Sequence, residues 1–421
     1  MNIRTLLFST FAAVLGGSAF GATVSDVFVQ PRWPWDAKVD VHFVISGADA
    51  PFDVTPAITA GGEPVTLAKG SLSGDLSSLG NGAHTLTWDP SALGQEKLEN
   101  LQVSLALVPC KTYMIVNLTS GEVGFTNKVV GTGTQWDDLY KTDYLVLKLV
   151  KATTFKMGNT KSRSGAGNEY PQHDVTLTKD YYLGVYELTL AQYKKLGGGW
   201  PLKSSDPYYT ANEPLRPAHC LRNTTLRSDA SVKETASTTL LGKLSAKNGN
   251  VYKFDYPTEA QWENAARAGN DGERYDGKPG LFTDDEWKAE IDQAGYLNRI
   301  ARNKSNSNLS TTDKSCTADE GGLARVGSYE PNAWGFYDML GNVAEYCRDG
   351  YSYSAYTTLP SSDPCYVPTV SGNSVSMRGG AYSEGLKSCR ALSRTERRAG
   401  YSNTENGVRL CVTIEPESIL E

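Results

Sequence analysis

From residue 144 to residue 413, glycine, asparagine and aromatic residues recur, while long segments with a regular apolar period are scarce. Glycine and asparagine favour turns, so this part of the chain predicts a loop-rich fold with short strands and few helices. The chain has 421 residues, more than one ordinary hydrophobic core accommodates. Its length therefore predicts two domains.

The overall composition excludes some classes of protein. Hydrophobic residues make up 39% and charged residues 21% of the chain, a balance typical of globular and not of disordered proteins. The net charge of -6 argues against general affinity for nucleic acid or for anionic membranes. After residue 22, no segment approaches the roughly 20 apolar residues that a membrane span requires. We therefore expect neither a nucleic-acid partner nor a membrane span.

Residues 1–22 have the pattern of a secretory signal peptide. Arg4 supplies the positive charge, and residues 6–15 are apolar apart from Ser9 and Thr10. The Ala-Phe-Gly run at residues 19–21 offers small residues at the two positions that a signal peptidase recognises. The sequence therefore predicts an exported protein, located in the periplasm or outside the cell.

Seven cysteines are compatible with export, because oxidising compartments permit disulfides. Their odd number leaves at least one thiol unpaired or paired between chains, and the sequence does not determine the connectivity. None is in a CxxC arrangement, which argues against a zinc ribbon. The seven are Cys110, Cys220, Cys316, Cys347, Cys365, Cys389 and Cys411.

Residues 23–110 are predicted to form an all-β domain. Residues 38–43, with the sequence KVDVHF, alternate polar and apolar side chains with the period of a half-buried strand. Similar short segments, separated by turn residues, predict a β-sandwich of immunoglobulin-like type that acts as a spacer or interaction module. Residues 111–143 are assigned to a connecting region with a further β-rich piece, and residues 414–421 to a C-terminal tail.

Two helices are predicted in the remaining part. The stronger covers residues 258–268, because Thr258 and Gln261 have the spacing of a capping box and Gly269 follows as a terminator. Its apolar residues Ala260, Trp262, Ala265 and Ala266 fall broadly on one face. A second helix is predicted over residues 190–196. Together with the short strands, these helices predict an α+β fold.

Several segments occur in the order found in a known family. They are residues 155–158 (FKMG), 169–175 (EYPQHDV), 182–189 (YLGVYELT), 256–267 (YPTEAQWENAAR), 332–346 (NAWGFYDMLGNVAEY), 378–380 (RGG) and 407–409 (GVR). On these segments, residues 144–413 resemble the formylglycine-generating, or sulfatase-modifying factor, family. The resemblance implies a compact C-type-lectin-like domain with little regular secondary structure.

The resemblance also implies a catalytic site that this chain does not reproduce in full. Oxidases of the family convert a cysteine of a substrate protein to formylglycine, using oxygen and copper(I) held by two cysteines shortly after the Arg-Gly-Gly motif. Counted from Arg378, Cys389 stands at the second cysteine position and Glu384 at the first. A carboxylate is a poor ligand for copper(I), which prefers soft thiolates. Cys389 is then a remnant metal or redox thiol or, as we favour, a disulfide partner or a small buried apolar residue.

Calcium is the metal that the resemblance implies more strongly. One predicted site takes Gly341, Asn342, Val343 and Glu345, and a second takes Asn298 with Asp319 or Glu320. The alternative for Glu345 is a structural salt bridge or hydrogen bonds to backbone amides. An iron site of three histidines, used by another branch of the family, is not expected from four scattered histidines. Among these, His173 is predicted to support packing.

The C-terminal part of this domain is rich in arginine. These side chains are predicted to pair with carboxylates and stack on aromatic rings, since acidic residues are in excess; an anion-recognising cleft is the alternative. They are Arg378, Arg390, Arg394, Arg397, Arg398 and Arg409.

The sequence therefore predicts an exported, non-oxidase member of the family that serves as a binding or scaffolding module for a protein, peptide or glycan ligand. One alternative is a formylglycine-generating oxidase that acts on exported sulfatases with altered copper ligation. Another is a variable-loop binding protein on the same fold, with its variable residues between 382 and 405. The expected cofactor is structural calcium, with copper only if the oxidase alternative holds.

Overall fold

The structure is a computed structural model. It describes residues 22–414 apart from residues 33–34, 48–51, 69, 77–78, 95–97, 110, 127–128, 130–137, 161–166, 200–213, 228–234, 271–293, 308–321, 369–373, 386, 399 and 402. Residues 1–21 of the predicted signal, together with Cys110, Cys316, Asp319 and Glu320, lie outside the described residues.

The described residues form two compact units. One unit lies before Tyr113 and also takes in Thr126, and the other consists of Tyr113–Phe125 and the described residues from Val129 onward. Residues 113–125, which the sequence assigned to a connecting region, therefore pack with the second unit. Within the described part of the chain, no helix is long and apolar enough to cross a membrane.

The first unit contains two sheets. Its strands are β1 (Thr23–Pro31), β2 (Val39–Ser46), β3 (Phe52–Ala60), β4 (Glu63–Pro64), β5 (Leu72–Gly74), β6 (Gly82–Trp88) and β7 (Gln102–Pro109). They are arranged as β1-β2-β6-β5 and β4-β3-β7, and side chains from both sheets form one apolar cluster. The alternation in β2 buries Val39, Val41, Phe43 and Ile45 in that cluster. The immunoglobulin-like type of this domain stays a prediction.

The second unit contains three sheets. Its strands are β8 (Tyr113–Asn117), β9 (Val123–Thr126), β10 (Tyr144–Val150), β11 (Thr153–Met157), β12 (His173–Leu177), β13 (Tyr181–Gly184), β14 (Ala344–Gly350), β15 (Ser374–Arg378), β16 (Arg394–Arg398), β17 (Asn406–Gly407) and β18 (Cys411–Thr413). They form a five-stranded sheet (β18-β13-β10-β8-β9), a four-stranded sheet (β16-β15-β14-β17) and the pair β11-β12.

The helices of the second unit are short. The described ones are α1 (Leu190–Lys195), α2 (Asn223–Leu226), α3 (Leu240–Lys247), α4 (Glu259–Arg267), α5 (Ala294–Ile300) and α6 (Ala355–Thr358). The predicted capping box of α4 is confirmed, since the Thr258 hydroxyl accepts from the Gln261 N–H at 3.2 Å and the Gln261 side chain accepts from the Thr258 N–H at 2.9 Å. Short strands and helices together confirm a β-rich α+β architecture.

Helix α4 is buried on every side, not on the one apolar face that its sequence predicted. All nine of its residues are buried, including Glu259, Glu263 and Arg267. A helix with charged residues survives burial only when each charge is paired and hydrogen-bonded. Apart from the pair of Glu263 with Arg267 inside the helix, the charged partners come from segments more than 100 residues away, so the pattern within the helix did not indicate them.

Arginines of the C-terminal part supply those partners. Arg394 donates to both carboxylate oxygens of Glu259, at 2.5 and 2.7 Å. Arg378 donates to Glu263, which also accepts from Arg267 Nε at 2.9 Å. These contacts confirm the predicted pairing of the arginines with carboxylates.

The same arginines also lie against aromatic rings. The Arg394 guanidinium lies 4.5 Å from the ring centroid of Tyr356, and that of Arg378 lies 5.3 Å from Trp262. The predicted stacking is therefore confirmed as well. His173, predicted to support packing, also has its ring 4.9 Å from Tyr356.

We expect Arg394→Met to lower the free energy of unfolding by about 3 to 5 kcal/mol, because it leaves the buried Glu259 without its main partner. Arg299→Met is the matched control, since the Arg299–Glu330 pair is exposed on both sides and should cost less than about 1 kcal/mol. Urea denaturation measures both values. Equal losses in the two variants would contradict a structural role for the buried pair.

Candidate functional site

The turn after β15 places the candidate catalytic segment. Gly379 and Gly380 have φ values of 92° and 72°, in the left-handed region that favours glycine. A Cβ on Gly380 would lie 2.7 Å from the backbone carbonyl of Ser388, and one on Gly379 would lie 2.9 Å from the oxygen of Met339. The Arg-Gly-Gly motif therefore allows the chain to pass directly against the segment that carries Cys389.

Cys389 is a buried thiol in the apolar cluster that also contains Trp262 and Phe336. Its Sγ lies 3.8 Å from the backbone oxygens of Ala381 and Glu384. Burial raises the pKa of Cys389 well above its usual value, and the negative charge of Glu384 raises it further. Within the described part of the chain, Cys389 is a free, buried thiol, which agrees with the predicted alternative of a small buried apolar residue.

Glu384, which the sequence predicts to stand at the position of the first family cysteine, is only partly buried. Its Oε2 accepts a hydrogen bond from the Ala381 N–H at 3.2 Å. Burial raises the pKa of Glu384, and the neighbouring carboxylate of Glu405 raises it further. Glu405 in turn accepts from Ser383 Oγ and, at 3.0 Å, from Arg397. The segment therefore presents two neighbouring carboxylates and one guanidinium.

This arrangement does not fit copper(I). A copper(I) site of this kind requires two soft thiolates, whereas residue 384 offers hard carboxylate oxygens. Burial raises the pKa of the remaining thiol, Cys389, and so disfavours the thiolate, which is the form that acts as a nucleophile. The chemistry that this segment supports is hydrogen bonding and ion pairing with a ligand.

Glu345 makes a buried ion pair, the alternative to calcium that its sequence left open. It accepts from Arg409 Nη2 at 2.8 Å and Nε at 3.1 Å, and from Trp262 Nε1 at 2.7 Å. The side chains of Arg409 and Glu345 are almost fully buried. Since a guanidinium already neutralises this carboxylate, the donor set fits a structural pair better than a calcium ligand.

The residues before Glu345 also face hydrogen-bond donors and acceptors of the protein. Asn342 donates to Glu187 at 2.6 Å, and the Val343 N–H donates to the same carboxylate at 3.1 Å. The amide oxygen of Asn342 accepts from the Ala324 N–H at 3.0 Å. Gly341 is required by packing, because a Cβ there would lie 2.1 Å from the backbone oxygen of Arg302.

The second predicted calcium site is only partly described. The side-chain oxygen of Asn298 accepts from Asn303 Nδ2 at 2.9 Å and from Ser305 Oγ at 2.8 Å, and Asp319 lies outside the described residues. Within the described part, no group of three or more His, Cys, Asp or Glu side chains is arranged to hold a metal. Calcium binding stays a prediction, and a calcium titration of thermal stability tests it.

Two buried carboxylates near Asn342 and Glu345, those of Glu187 and Asp338, were not predicted as functional residues. Glu187 lies within the quoted segment 182–189, but its role depends on Asn342, which is 155 residues away. Asp338 has φ 55°, and its Oδ2 accepts from the Gly327 N–H at 2.6 Å. Its Oδ1 has no hydrogen-bond partner among the described residues. Burial raises the pKa of Asp338 to about 6, and Glu345 adds to the shift.

The raised pKa of Asp338 predicts a pH dependence of stability. The folded protein binds the proton of the Asp338 carboxyl more tightly than the unfolded chain does. The contribution of this proton to the free energy of unfolding is therefore complete below pH 3.8 and is lost as the pH rises towards about 6. We expect the wild type to lose about 2 to 3 kcal/mol over this range that Asp338→Asn does not lose. Asp174→Asn, at an exposed side chain, is the control and should keep the wild-type profile. Parallel profiles for wild type and Asp338→Asn in urea denaturation would contradict the prediction.

Comparison with known proteins gives the family of the second unit. A family model for the sulfatase-modifying factor enzyme 1-like domain matches residues 141–414. The formylglycine-generating enzyme of Streptomyces coelicolor is 35% identical over 128 residues, which cover 30% of this chain and 35% of that enzyme. A serine/threonine-protein kinase, pkn1 of Chlamydia pneumoniae, is 30% identical over 158 residues, which cover 38% of this chain and 21% of the kinase.

The chain thus spans about one third or less of the length of these relatives. Among solved structures, PvdO from Pseudomonas aeruginosa matches with a TM-score of 0.48 and 22% identity, over 64% of this chain and 95% of PvdO. The family match rests on the domain model, which extends over well more than half of the 421 residues. The chain therefore belongs to the sulfatase-modifying factor family.

Proposed function

We propose that this protein is an exported, non-oxidase member of its family that acts as a binding or scaffolding module. The observation that carries the proposal is the pair Glu384 and Cys389, a carboxylate and a neutral buried thiol in place of two copper-binding thiolates. Oxidation of a substrate cysteine through copper(I) requires both thiolates. The proposal therefore assigns this segment to recognition.

The surroundings of Glu384 support recognition of a ligand. Ser383, Glu384 and Arg397 are all partly exposed polar side chains on loops or on the edge strand β16. The buried pairs of α4 hold the neighbouring Arg378 and Arg394 in place, so these loops extend from a rigid frame. Loops on such a frame commonly carry binding functions. A peptide or a glycan that offers amide, hydroxyl or basic groups fits this polar set.

An oxidase with altered copper ligation is the second candidate. It is favoured by the similarity to the Streptomyces coelicolor formylglycine-generating enzyme, although the match covers only 35% of that enzyme. In this alternative a sulfur from another segment would complete the site with Cys389.

The same proposal includes export and an immunoglobulin-like first domain. It also includes disulfide bonding by Cys110 and Cys316, the two cysteines that lie outside the described residues. They form one consistent set, because a secretory signal directs the chain to a compartment that permits disulfides. N-terminal sequencing of the protein recovered from its native cell tests export. Recovery of a chain that still begins at Met1 would contradict it.

We expect no conversion of cysteine to formylglycine by the wild type when a sulfatase-derived peptide is incubated with copper(I) and oxygen. Mass spectrometry of the peptide measures the conversion, and a family oxidase with both cysteines serves as the positive control. Cys389→Ser is the matched variant and should be equally inactive. Conversion by the wild type that disappears in Cys389→Ser would establish the oxidase alternative instead.

A further inference from the structure

Strand β16 forms one edge of the four-stranded sheet, where β15 is its only partner strand among the described residues. Arg397 of this strand pairs with Glu405 at 3.0 Å, and both residues act on the pKa of Glu384. The edge therefore adjoins the loop to which the proposed function assigns recognition. An edge strand presents backbone N–H and C=O groups to any chain that lies beside it.

The backbone groups of β16 that point away from the sheet follow from the pairing of its neighbour. The N–H of Tyr351, which follows β14, donates to the Ser374 oxygen at 2.8 Å, so the backbone groups of Ser374 face β14. Successive residues of a strand face opposite neighbours, so Val375 faces β16 and its partner Arg397 faces back to β15. The N–H and C=O of Glu396 therefore point outward.

Both ends of this outer edge are already bonded within the domain. The Arg394 oxygen accepts from Asn168 Nδ2 at 3.0 Å, and the Arg398 oxygen accepts from the Tyr401 N–H at 2.9 Å. Between these two contacts, the N–H and the oxygen of Glu396 have no hydrogen-bond partner in the described part of the chain. The middle of β16 therefore offers one donor and one acceptor to another backbone.

The side chains of Glu396 and Arg398 are open as well. Both residues are exposed, and neither forms an ion pair with a residue that the structure describes. They lie two residues apart, so their side chains share one face of the sheet. A strand added to this edge would place one side chain opposite Glu396 and another opposite Arg398. Opposite charges at such positions stabilise the pairing of strands, and like charges oppose it.

We propose that the outer edge of β16 binds an extended peptide as an added antiparallel strand, with a basic side chain opposite Glu396 and an acidic side chain opposite Arg398. A backbone donor and acceptor on one strand residue match the groups of a peptide backbone, and the alternate side chains give selectivity. The inference rests on the proposed recognition function and deepens it, because it selects a peptide and not a glycan as the ligand.

The test measures binding of fluorescently labelled nine-residue peptides to the full chain by anisotropy. The matching peptide has a central lysine with glutamate two residues before it, and the reversed peptide has these two residues exchanged. We expect the matching peptide to bind about tenfold more tightly, because two cross-strand pairs change from attractive to repulsive in the reversed one. Binding of neither peptide, or no preference for the matching one, would overturn the proposal. Binding of labelled maltoheptaose in place of the peptides would overturn it in favour of a glycan.

A methylated peptide tests the backbone contact without altering the protein. Methylation of the lysine amide nitrogen in the matching peptide removes the donor to the Glu396 oxygen and blocks close approach of the strand. We expect binding at least about tenfold weaker than that of the unmethylated peptide. Equal affinity of the two forms would contradict an added strand.

Charge-exchanged variants locate the binding edge. The double variant Glu396→Lys and Arg398→Glu should prefer the reversed peptide. Arg299→Glu with Glu330→Lys makes the same exchange at an exposed ion pair elsewhere and should keep the wild-type preference. Thermal melting verifies that each variant is folded, and the methylated peptide decides if the first variant is not. An unchanged preference in the folded double variant would contradict the assignment to β16.

The cysteine-conversion assay reports on the proposed function separately. A wild type that converts no cysteine and binds neither peptide would contradict the peptide inference alone. Conversion that depends on Cys389 would contradict the proposed function, whatever the peptides show.

Discussion

The second unit depends on buried pairs of arginine and glutamate. Helix α4 contributes Glu259 and Glu263, and these meet Arg394 and Arg378 from segments 135 and 115 residues further along the chain. Arg409 and Glu345 form a third pair that also takes in Trp262 of α4. In a domain with short strands and helices, such pairs specify which loops meet, because a charge buried without its partner is very unfavourable.

The buried arginine–glutamate pairs also hold the backbone that carries the candidate site. Arg378 is anchored on Glu263 and begins the turn at Gly379 and Gly380, which brings the chain past Cys389. Burial and the charge of Glu384 both favour the neutral thiol of Cys389. The proposed function therefore assigns the loop that carries Glu384 to recognition and not to copper chemistry.

Local features of the structure were predictable from the sequence. The capping box of Thr258 and Gln261, the alternation in β2 and the pairing of the arginines all follow from short-range patterns or from charge balance. Features that depend on distant segments were not predictable. The burial of the polar face of α4 requires arginines from the C-terminal part. Residues 113–125 join the second unit through contacts such as the pairing of β8 with β10, whose partners lie 27 or more residues later.

The residues of the candidate site also divide into those that a short-range pattern indicated and those that depend on distant segments. The correspondence of residue 384 to the first family cysteine rests on counting from Arg378 over a short interval, and it stays a prediction. Glu187 and Asp338 were missed, because their significance lies in sharing one buried region with Glu345 and Arg409. Nothing in the residues next to either carboxylate indicates that proximity.

The central claim is that this site lacks a thiolate pair for copper(I). Its most direct test is a titration of the reduced protein with copper(I) against a chromophoric chelator, with Cys389→Ser as the matched control. The account predicts that neither protein removes copper from the chelator. Uptake of copper(I) by the wild type that disappears in Cys389→Ser would contradict it.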